Sequence, residues 1–369
     1  MIITFADKNL QNQYFPQSRP HPGETLAEKL EEMGMSSKEF AIRTGKPEKT
    51  VSAVLNGKSA ITPDMAIQFE TVTKIPAHFW MNSQRGYDEY VAREKYKKAI
   101  QDAIEWSKLF PIADMVRKGW IQAKTTTNEK VLELFAFFGI SSHIAWENLY
   151  LNQQLMVAYR ISLKHTKEPH AISAWLRQGE IQATALSAGA YSEKTFKESL
   201  PKIKTIMATQ PENVYTQLQD ICLAAGVKMV FTPCIKKAPI NGCTRWIGET
   251  PLIQLSGRYK RNDIFWFTVF HEIAHILLHG KKDFFLEKVE YEGKEKRKEA
   301  EADKFAADRI LSEAEEQEIL NAAPLNALKV RAFAKKFHTH PACIIGRLQH
   351  KKLISFSLGT ELIEKIEIV

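Results

Sequence analysis

The chain contains 369 residues, of which 44% are hydrophobic and 25% are charged. These values are ordinary for globular proteins, and they exclude a wholly disordered chain, a fibrous repeat and a small disulfide-stapled fold. Because domains commonly span about 150 residues, the length predicts two or three of them. The formal net charge of +8 is mildly positive, which permits an anionic partner without requiring one.

The cysteines and the apolar segments indicate where the protein works. The four cysteines form no Cys-x-x-Cys pair, which fits free thiols in a reducing compartment. The apolar start is too short for a signal peptide, because Asp7 and Lys8 follow it at once. No apolar run approaches the roughly 18 residues that a membrane helix needs. We therefore expect a cytoplasmic protein without a membrane partner.

The first hundred residues carry five short helical signals after a polar, proline-containing arm at residues 1–20. The predicted helices begin near Thr25, Lys38, Lys46, Thr62 and Pro76. Ser36 and Ser37 can cap the second helix, and Gly45 can end it. Short helices that are joined by a glycine-containing turn are typical of the helix-turn-helix motif.

The third predicted helix would enter the major groove of DNA and present its N-terminal residues to the base edges. Those residues are Glu48, Lys49, Thr50 and Ser52, and the cations around them are Arg43, Lys46, Lys49 and Lys58. The cations suit phosphate contacts. The positive charge is local, because residues 1–98 hold 14 Lys and Arg against 12 Asp and Glu. A small helical domain that binds protein is the alternative that this pattern leaves open.

Several separated segments of this region resemble the DNA-binding domain of HigA/VapI-type antitoxins, which are Xre-like helix-turn-helix proteins. They are His21-Pro-Gly-Glu24, Gly34-Met-Ser-Ser-Lys-Glu-Phe-Ala41, Val54-Leu-Asn-Gly-Lys58, Ile61-Thr-Pro-Asp64 and Phe79-Trp-Met-Asn82. The resemblance covers residues 15–95. It implies binding to double-stranded operator DNA, usually as a homodimer, and often a partner toxin in a toxin–antitoxin system.

Residues 98–220 are predicted to be mostly helical. Thr126 and Glu129 match a capping box, and Gly139 is expected to end the helix that follows. Trp146 and Trp175 fit a hydrophobic core better than the lining of a ligand pocket. The pattern assigns no activity to this region, so a connector, a dimerisation element and a sensor all stay open.

An apolar helix is predicted over residues 265–279, after strands at 226–231, 244–247 and 251–255. Residues four apart share a helix face, so His271 and His275 can offer two imidazoles to one zinc ion. Glu272 lies beside them, where its carboxylate can act on a water molecule at the zinc ion. The alternative is a helix with two surface histidines, which the apolar surroundings disfavour.

A zinc hydrolase needs a third protein ligand. The charge-rich residues 287–298 predict a solvated loop, and a strong helix signal begins at Lys298. Glu299 and Asp303 share one face of that helix, so we expect Glu299 as the third ligand and Asp303 as the carboxylate that orients a histidine. Glu301 would point about 200° away from Glu299.

These two helices resemble the ImmA/IrrE-type metallopeptidases, in which a His-Glu-x-x-His helix precedes a helix carrying Glu-x-x-Ala-Asp/Asn-x-Phe-Ala. The matching residues are His271, Glu272, His275, Glu299, Ala302, Asp303, Phe305 and Ala306. The resemblance covers residues 215–350. It implies a zinc endopeptidase that cuts a repressor or regulator, with His271, His275 and Glu299 as ligands and Glu272 as the general base.

Other groups are expected to support the reaction. An oxyanion donor is needed, and Arg258, Tyr259 and Tyr291 are the candidates. His279 extends the face that already holds two ligands, so we expect a structural role for it. The strand at 251–255 is expected to pair with an extended substrate by strand addition.

Together the patterns predict a mainly α protein with a small α+β, zincin-like domain. The expected division is a five-helix helix-turn-helix domain at 1–97, a helical middle region at 98–220 and a metallopeptidase fold with a short sheet at 221–369. We expect a DNA-binding transcriptional regulator of antitoxin type whose zinc-dependent endopeptidase domain cleaves or senses a protein substrate or a cognate toxin. One alternative is a non-catalytic antitoxin or repressor whose metallopeptidase fold only binds a toxin or ligand. Another is an enzyme whose N-terminal domain contacts protein.

Overall fold

The computed structural model describes residues 18–152, 168–281, 285–286 and 293–366. They form two compact units, of which the first ends at Asp102 and the second begins at Ala103. Most of the predicted arm at 1–20 lies outside the described residues. Among the described helices, none combines the length and the apolar character that crossing a membrane requires.

The described part of the first unit contains five helices, as predicted. They are α1 (Pro22–Glu32), α2 (Ser37–Thr44), α3 (Glu48–Leu55), α4 (Pro63–Thr73) and α5 (Ala77–Asp102). Helix α1 starts earlier than the sequence indicated, because the His21 side chain accepts a hydrogen bond from the Gly23 N–H and completes a capping box with Glu24. Gly45 ends α2 with a φ of 66°, as expected.

The core of this unit holds α3 in place. Val51 and Val54 are fully buried, together with Phe40, Phe69 and Trp80. A Cβ atom at Gly23 would lie 1.9 Å from the Val54 carbonyl oxygen, so the N-terminus of α1 approaches α3 more closely than any side chain allows. The exposed face of α3 is therefore fixed by packing on its opposite face.

The second unit begins with a series of helices, of which Pro169–Thr184 and Val214–Ala224 pack against its sheet. They are α6 (Ile104–Ser107), α7 (Ile112–Arg117), α8 (Thr127–Phe138), α9 (His143–Glu147) with a π-helical turn (Asn148–Asn152), α10 (Pro169–Thr184), α11 (Glu193–Thr209) and α12 (Val214–Ala224). The predicted capping box of Thr126 and Glu129 is present. Trp146 and Trp175 are fully buried in the core.

Hydrogen bonds join α10 directly to the sheet. Trp175 Nε1 donates to the Thr232 carbonyl at 2.8 Å, and Gln254 Nε2 donates to the Trp175 carbonyl at 2.7 Å. The described residues 103–152 and 168–220 lie in the same compact unit as the sheet.

The sheet has the order β1-β3-β2-β4, with β1 (Lys228–Phe231), β2 (Gly242–Ile247), β3 (Thr250–Leu255) and β4 (Phe285–Leu286). Strand β3 runs parallel to β1 and antiparallel to β2, and β2 pairs with β4 at Cys243 and Thr244. The expectation that residues 251–255 pair with a substrate is wrong. Strand β3 is central, so its backbone groups already bond to neighbours on both sides.

Five further helices follow in the described part of the chain, and the first two of them carry the candidate site. They are α13 (Asn262–Leu278), α14 (Gly293–Ile310), α15 (Glu313–Asn321), α16 (Ala327–Lys336) and α17 (Pro341–His350). The predicted loop at 287–298 is helical from Gly293 onward, and its earlier residues lie outside the described part. The run of Lys, Glu and Arg after Gly293 consists of strong helix formers, and this composition was misread as loop.

Candidate metal centre and DNA interface

Helix α13 holds its histidines at a fixed rotation because its apolar faces are packed. Phe270 and Ile273 are buried in the main core of the unit, and Trp266 Nε1 donates to Asn262 Oδ1 at 3.2 Å. His271 and His275 are also buried, at 4% and 2% exposure. Both imidazoles therefore face α14 instead of solvent.

The structure brings His271, His275 and Glu299 together. The two Nε2 atoms of the histidines lie 2.9 Å apart. His271 Nε2 lies 3.2 Å from Glu299 Oε2, and His275 Nε2 lies 3.7 Å from Glu299 Oε1. In a tetrahedral zinc site with bonds near 2.0–2.2 Å, ligand atoms stand about 3.4 Å apart. The three observed separations bracket that value.

The chemistry of the donors also fits a metal ion. His271 Nδ1 lies 2.9 Å from Asp303 Oδ1, so a neutral His271 that donates its proton there directs its Nε2 lone pair towards His275 and Glu299. Glu299 Oε1 is buried and makes no hydrogen bond to the described residues. Three lone-pair donors converge on one point, which a cation stabilises. Two imidazoles and one carboxylate form a donor set typical of catalytic zinc.

The neighbouring groups hold the ligands from outside. Asp303, which the sequence predicts as the orienting carboxylate, lies within hydrogen-bond distance of His271 Nδ1. His279 Nδ1 lies 3.0 Å from His275 Nδ1, and His279 Nε2 lies 3.4 Å from Glu301 Oε2. His279 thus contacts the far side of a ligand and is not part of the triad, and Glu301 contacts His279 instead of the metal position.

In the absence of a metal ion, the surroundings shift the pKa values of His271 and His275 in opposite directions. Burial lowers the pKa of His271, but hydrogen bonds to Asp303 and Glu299 outweigh burial and raise that pKa to about 10. Burial lowers the pKa of His275 well below its usual range, and positive charge on His271 and His279 lowers it further. His275 is thus a neutral imidazole ready to ligate, whereas a metal ion must displace a proton from His271.

Glu272 lies against strand β2. Glu272 is 1% exposed, and its backbone carbonyl accepts a hydrogen bond from Thr244 Oγ1 at 3.0 Å. A Cβ atom at Gly242 would lie 2.5 Å from Glu272 Oε1, so only glycine leaves room for this carboxylate. Sequence reasoning missed Gly242, because glycine after asparagine indicates a turn and carries no sign of a distant close approach.

The three candidate oxyanion donors have different surroundings. Tyr259 is 52% exposed, has a φ of 72° and lines a cavity beside α13. Arg258 lies over the Tyr259 ring at 4.4 Å and donates from Nη1 to the Pro239 carbonyl at 2.8 Å. Tyr291 lies outside the described residues. Of the two described candidates, Tyr259 is the one that lines this cavity.

On the first unit, the proposed reading helix α3 presents part of the predicted set to solvent. Glu48, Lys49 and Lys58 are exposed, and Thr50 and Ser52 are half-buried. Two predicted phosphate contacts are already paired with acids, since Arg43 bonds to Glu39 at 2.6 Å and Lys46 bonds to Asp64. Within the described residues, Lys49 and Lys58 form no ion pair, so they carry the available positive charge around α3.

Comparisons with known proteins match each unit separately. A family model described as helix-turn-helix matches residues 26–80, and one described as an IrrE N-terminal-like domain, of peptidase family M78, matches residues 224–338. The HTH-type transcriptional regulator YddM of Escherichia coli is 36% identical over 70 residues, which are 19% of this chain and 74% of the relative. Virulence-associated protein A of Dichelobacter nodosus is 31% identical over 99 residues, which are 26% of this chain and 93% of the relative.

Solved structures match the N-terminal part. A HigA-family addiction-module antidote protein from Coxiella burnetii has 38% identity and a TM-score of 0.22, and covers 23% of this chain and 95% of its own. Pseudomonas aeruginosa antitoxin HigA, solved with the higBA promoter, has 31% identity and a TM-score of 0.22, and covers 23% of this chain and 94% of its own. With 36% identity over 74% of the YddM regulator and a helix-turn-helix family match, the chain belongs to the HTH-type transcriptional regulators, and it also carries a match to the IrrE N-terminal-like domain.

Proposed function

We propose that the protein is a DNA-binding regulator of antitoxin type whose second unit is a zinc-dependent endopeptidase acting on a protein partner. The observation that carries the enzymatic half is the triad of His271, His275 and Glu299, whose ligand atoms lie within 4.8 Å of one another. Glu272 is adjacent on the same helix. A triad of this kind leaves a fourth coordination position for chemistry.

The chain's own residues would divide the reaction between them. A zinc ion in this site supplies Lewis acidity, which polarises a peptide carbonyl and makes a water molecule acidic near neutral pH. Glu272 accepts the proton of the attacking water and delivers it to the leaving amine nitrogen. Asp303 keeps His271 in the tautomer that ligates, and the tightly packed α13 keeps both histidines in register.

The regulatory half rests on the first unit. The helix-turn-helix match and the regulator YddM support operator binding by α3. Lys49 and Thr50 stand at the N-terminal end of α3, where a recognition helix meets base edges. We infer that the chain binds as a homodimer, since two copies would read two half-sites one helical turn apart.

The peptidase proposal is tested by sequencing the new protein N-termini that the full chain produces in a bacterial lysate. Zinc-loaded wild type should generate a small set of new termini. The Glu272→Gln variant should not generate them, although its side chain has the same size and its zinc ligands are unchanged. Chelation of the wild type should abolish the same set. If all three samples yield identical termini, although zinc-loaded wild type and Glu272→Gln hold equal amounts of zinc, the domain is a binding module for a toxin or ligand instead.

The DNA proposal is tested by selecting bound duplexes from a random pool with the full chain at fixed salt. Lys49→Ala combined with Thr50→Ala should weaken binding to the selected duplex by about tenfold or more and relax its sequence preference. Lys95→Ala removes an exposed lysine of α5 and serves as the matched control. Unchanged affinity of the α3 variant would leave protein contact as the role of this unit.

A further inference from the structure

A cavity of about 640 Å³ lies beside the candidate metal centre, between α13, α14 and α17. Its walls include Ile264, Phe267 and Thr268 of α13, Asp303 and Ala307 of α14, and Tyr259. The volume falls within the range of about 300–1,000 Å³ that is typical of ligand pockets. Nothing in the proposed chemistry of the triad accounts for it.

The cavity and the triad share one stripe of α13. Ile264, Phe267, His271 and His275 follow each other at spacings of three and four, which places them on one helix face. The Phe267 ring lies 6.1 Å from the His271 ring. Asp303 belongs to both the cavity and the candidate metal centre, because it lines the cavity and accepts the hydrogen bond of His271. A chain laid along this face would contact the cavity and the metal centre together.

The interior of the cavity is apolar. Ile264 and Phe267 are only half-buried, although most of their neighbours on α13 are buried. On the opposite walls, Ala307 and Ile310 of α14 add further apolar surface. Since half-exposed apolar side chains gain about 25 cal/mol for each Å² that a ligand covers, the cavity favours an apolar occupant.

The charge at the cavity is positive once internal pairs are counted. Arg347 and Lys351 form ion pairs with Glu316, and Asp263 forms an ion pair with Arg261. The Asp303 carboxylate holds His271. Lys304 is exposed and makes no ion pair among the described residues, so it offers a charge to an acidic group on the occupant.

We infer that this cavity is the side-chain recognition site for the polypeptide substrate, which binds bulky apolar residues two or three positions from the scissile bond. Lys304 adds a preference for an acidic residue beside them. Phe267 and Ile264 lie about 6 and 10 Å along the helix axis from His271, given a rise of 1.5 Å per residue. An extended chain covers those distances in two or three residues of about 3.3 Å each. This inference rests on the proposed peptidase function.

The test measures binding of short fluorescent peptides to the zinc-loaded, full-length Glu272→Gln protein, which binds without cutting. One peptide carries Leu-Phe next to Glu, a second carries Ser-Ser next to Glu, and a third carries Leu-Phe next to Lys. We expect the first to bind about tenfold or more tightly than the second, since one missing methylene in an apolar pocket already costs about that much. Lys304→Glu should reverse the preference between the first and third peptides.

Cavity filling gives the matched pair of variants. Ala307→Phe, on the cavity wall, should abolish the advantage of Leu-Phe over Ser-Ser, whereas Ala314→Phe adds the same ring to an exposed position of α15 and should preserve it. Zinc content and the circular dichroism spectrum are compared for both. If Ala307→Phe does not fold, the Leu-Phe against Ser-Ser comparison on the parent chain decides alone. Equal affinity for those two peptides overturns the inference.

The outcome separates this inference from the peptidase proposal. If wild type generates new termini in the lysate but the peptides show no dependence on Leu-Phe, the peptidase stands and the cavity is not its recognition site. If cavity-dependent binding is found but wild type cuts nothing, the recognition site stands as a binding site and the enzymatic proposal fails.

Discussion

The carboxylate of Glu272 and the backbone of Gly242 are in contact, and a Cβ atom on the glycine would come within 2.5 Å of Oε1. The position of the proposed base is therefore set by a strand that lies 30 residues earlier in the chain. Thr244 on the same strand donates to the Glu272 carbonyl and fixes the backbone of the helix at that point. Strand β2 and helix α13 thus pack together around the proposed base.

Gly242→Ala is expected to displace the Glu272 carboxylate while leaving the metal ligands on the other side of the site in place. Turnover of any substrate found in the lysate experiment should fall by about 10²-fold or more, the range for loss of a positioned base. Zinc content, measured on the same sample, should stay near that of wild type. Gly189→Ala is the control, since a Cβ atom there meets nothing within 4 Å. Unchanged turnover would show that Gly242 does not position the base.

Asp303→Asn is expected to weaken zinc binding by about 10–100-fold, because the amide is a weaker acceptor for the His271 Nδ1–H than the carboxylate. The measurement is competition with a chelator of known affinity at fixed pH. Asp308→Asn, at an exposed position of the same helix, controls for the loss of a negative charge from α14. Equal affinities of the two variants would mean that Asp303 acts only through its charge or not at all.

The local part of the site was predictable and the long-range part was not. Spacings of four on a helix place His271 with His275 and Glu299 with Asp303 whatever the tertiary fold, and the structure brings both pairs to one point. The contact with Gly242 depends on how a strand packs against a helix. For the same reason β3 was misjudged as available to a substrate, since strand order is a long-range property.

The helical elements show the same division. Caps at Ser36, Thr126 and Gly139 depend on adjacent residues, and the structure contains each of them. The cavity beside α13 had no counterpart in the sequence analysis, because Ile264 and Phe267 look like any other apolar positions of a buried helix. Only the packing of α14 and α17 leaves them half-exposed.

Arg245→Met is expected to lower the free energy of unfolding of the second unit by about 2–5 kcal/mol. Arg245 is 1% exposed, and it donates to Gln254 Oε1 at 2.9 Å and to the Leu176 carbonyl at 2.8 Å. Its loss leaves both buried acceptors without that donor and loosens α10 from the sheet. Denaturant titration measures the effect. Arg331→Met removes an exposed arginine and should change stability by less than about 0.5 kcal/mol.

The stability of the second unit should fall on mild acidification because of His170. Burial lowers the pKa of His170 to about 4, and its ring stacks on Trp146 at 4.5 Å. Above pH 6.5 neither the folded nor the unfolded chain protonates this histidine. Between pH 6.5 and about 4 the unfolded chain binds a proton that the folded chain does not, so unfolding becomes more favourable as pH decreases. Below the folded pKa both states are protonated, and the loss stops growing.

His170→Phe keeps a ring against Trp146 and removes the titrating group. The difference in the free energy of unfolding between pH 7 and pH 5 should therefore be smaller in this variant than in wild type. A residual difference is expected from His340 and His275, whose pKa values burial also lowers. His78→Phe, at an exposed position of α5, should keep the full wild-type difference. An equal pH dependence of wild type and His170→Phe would show that this histidine is accessible to protons in the folded state.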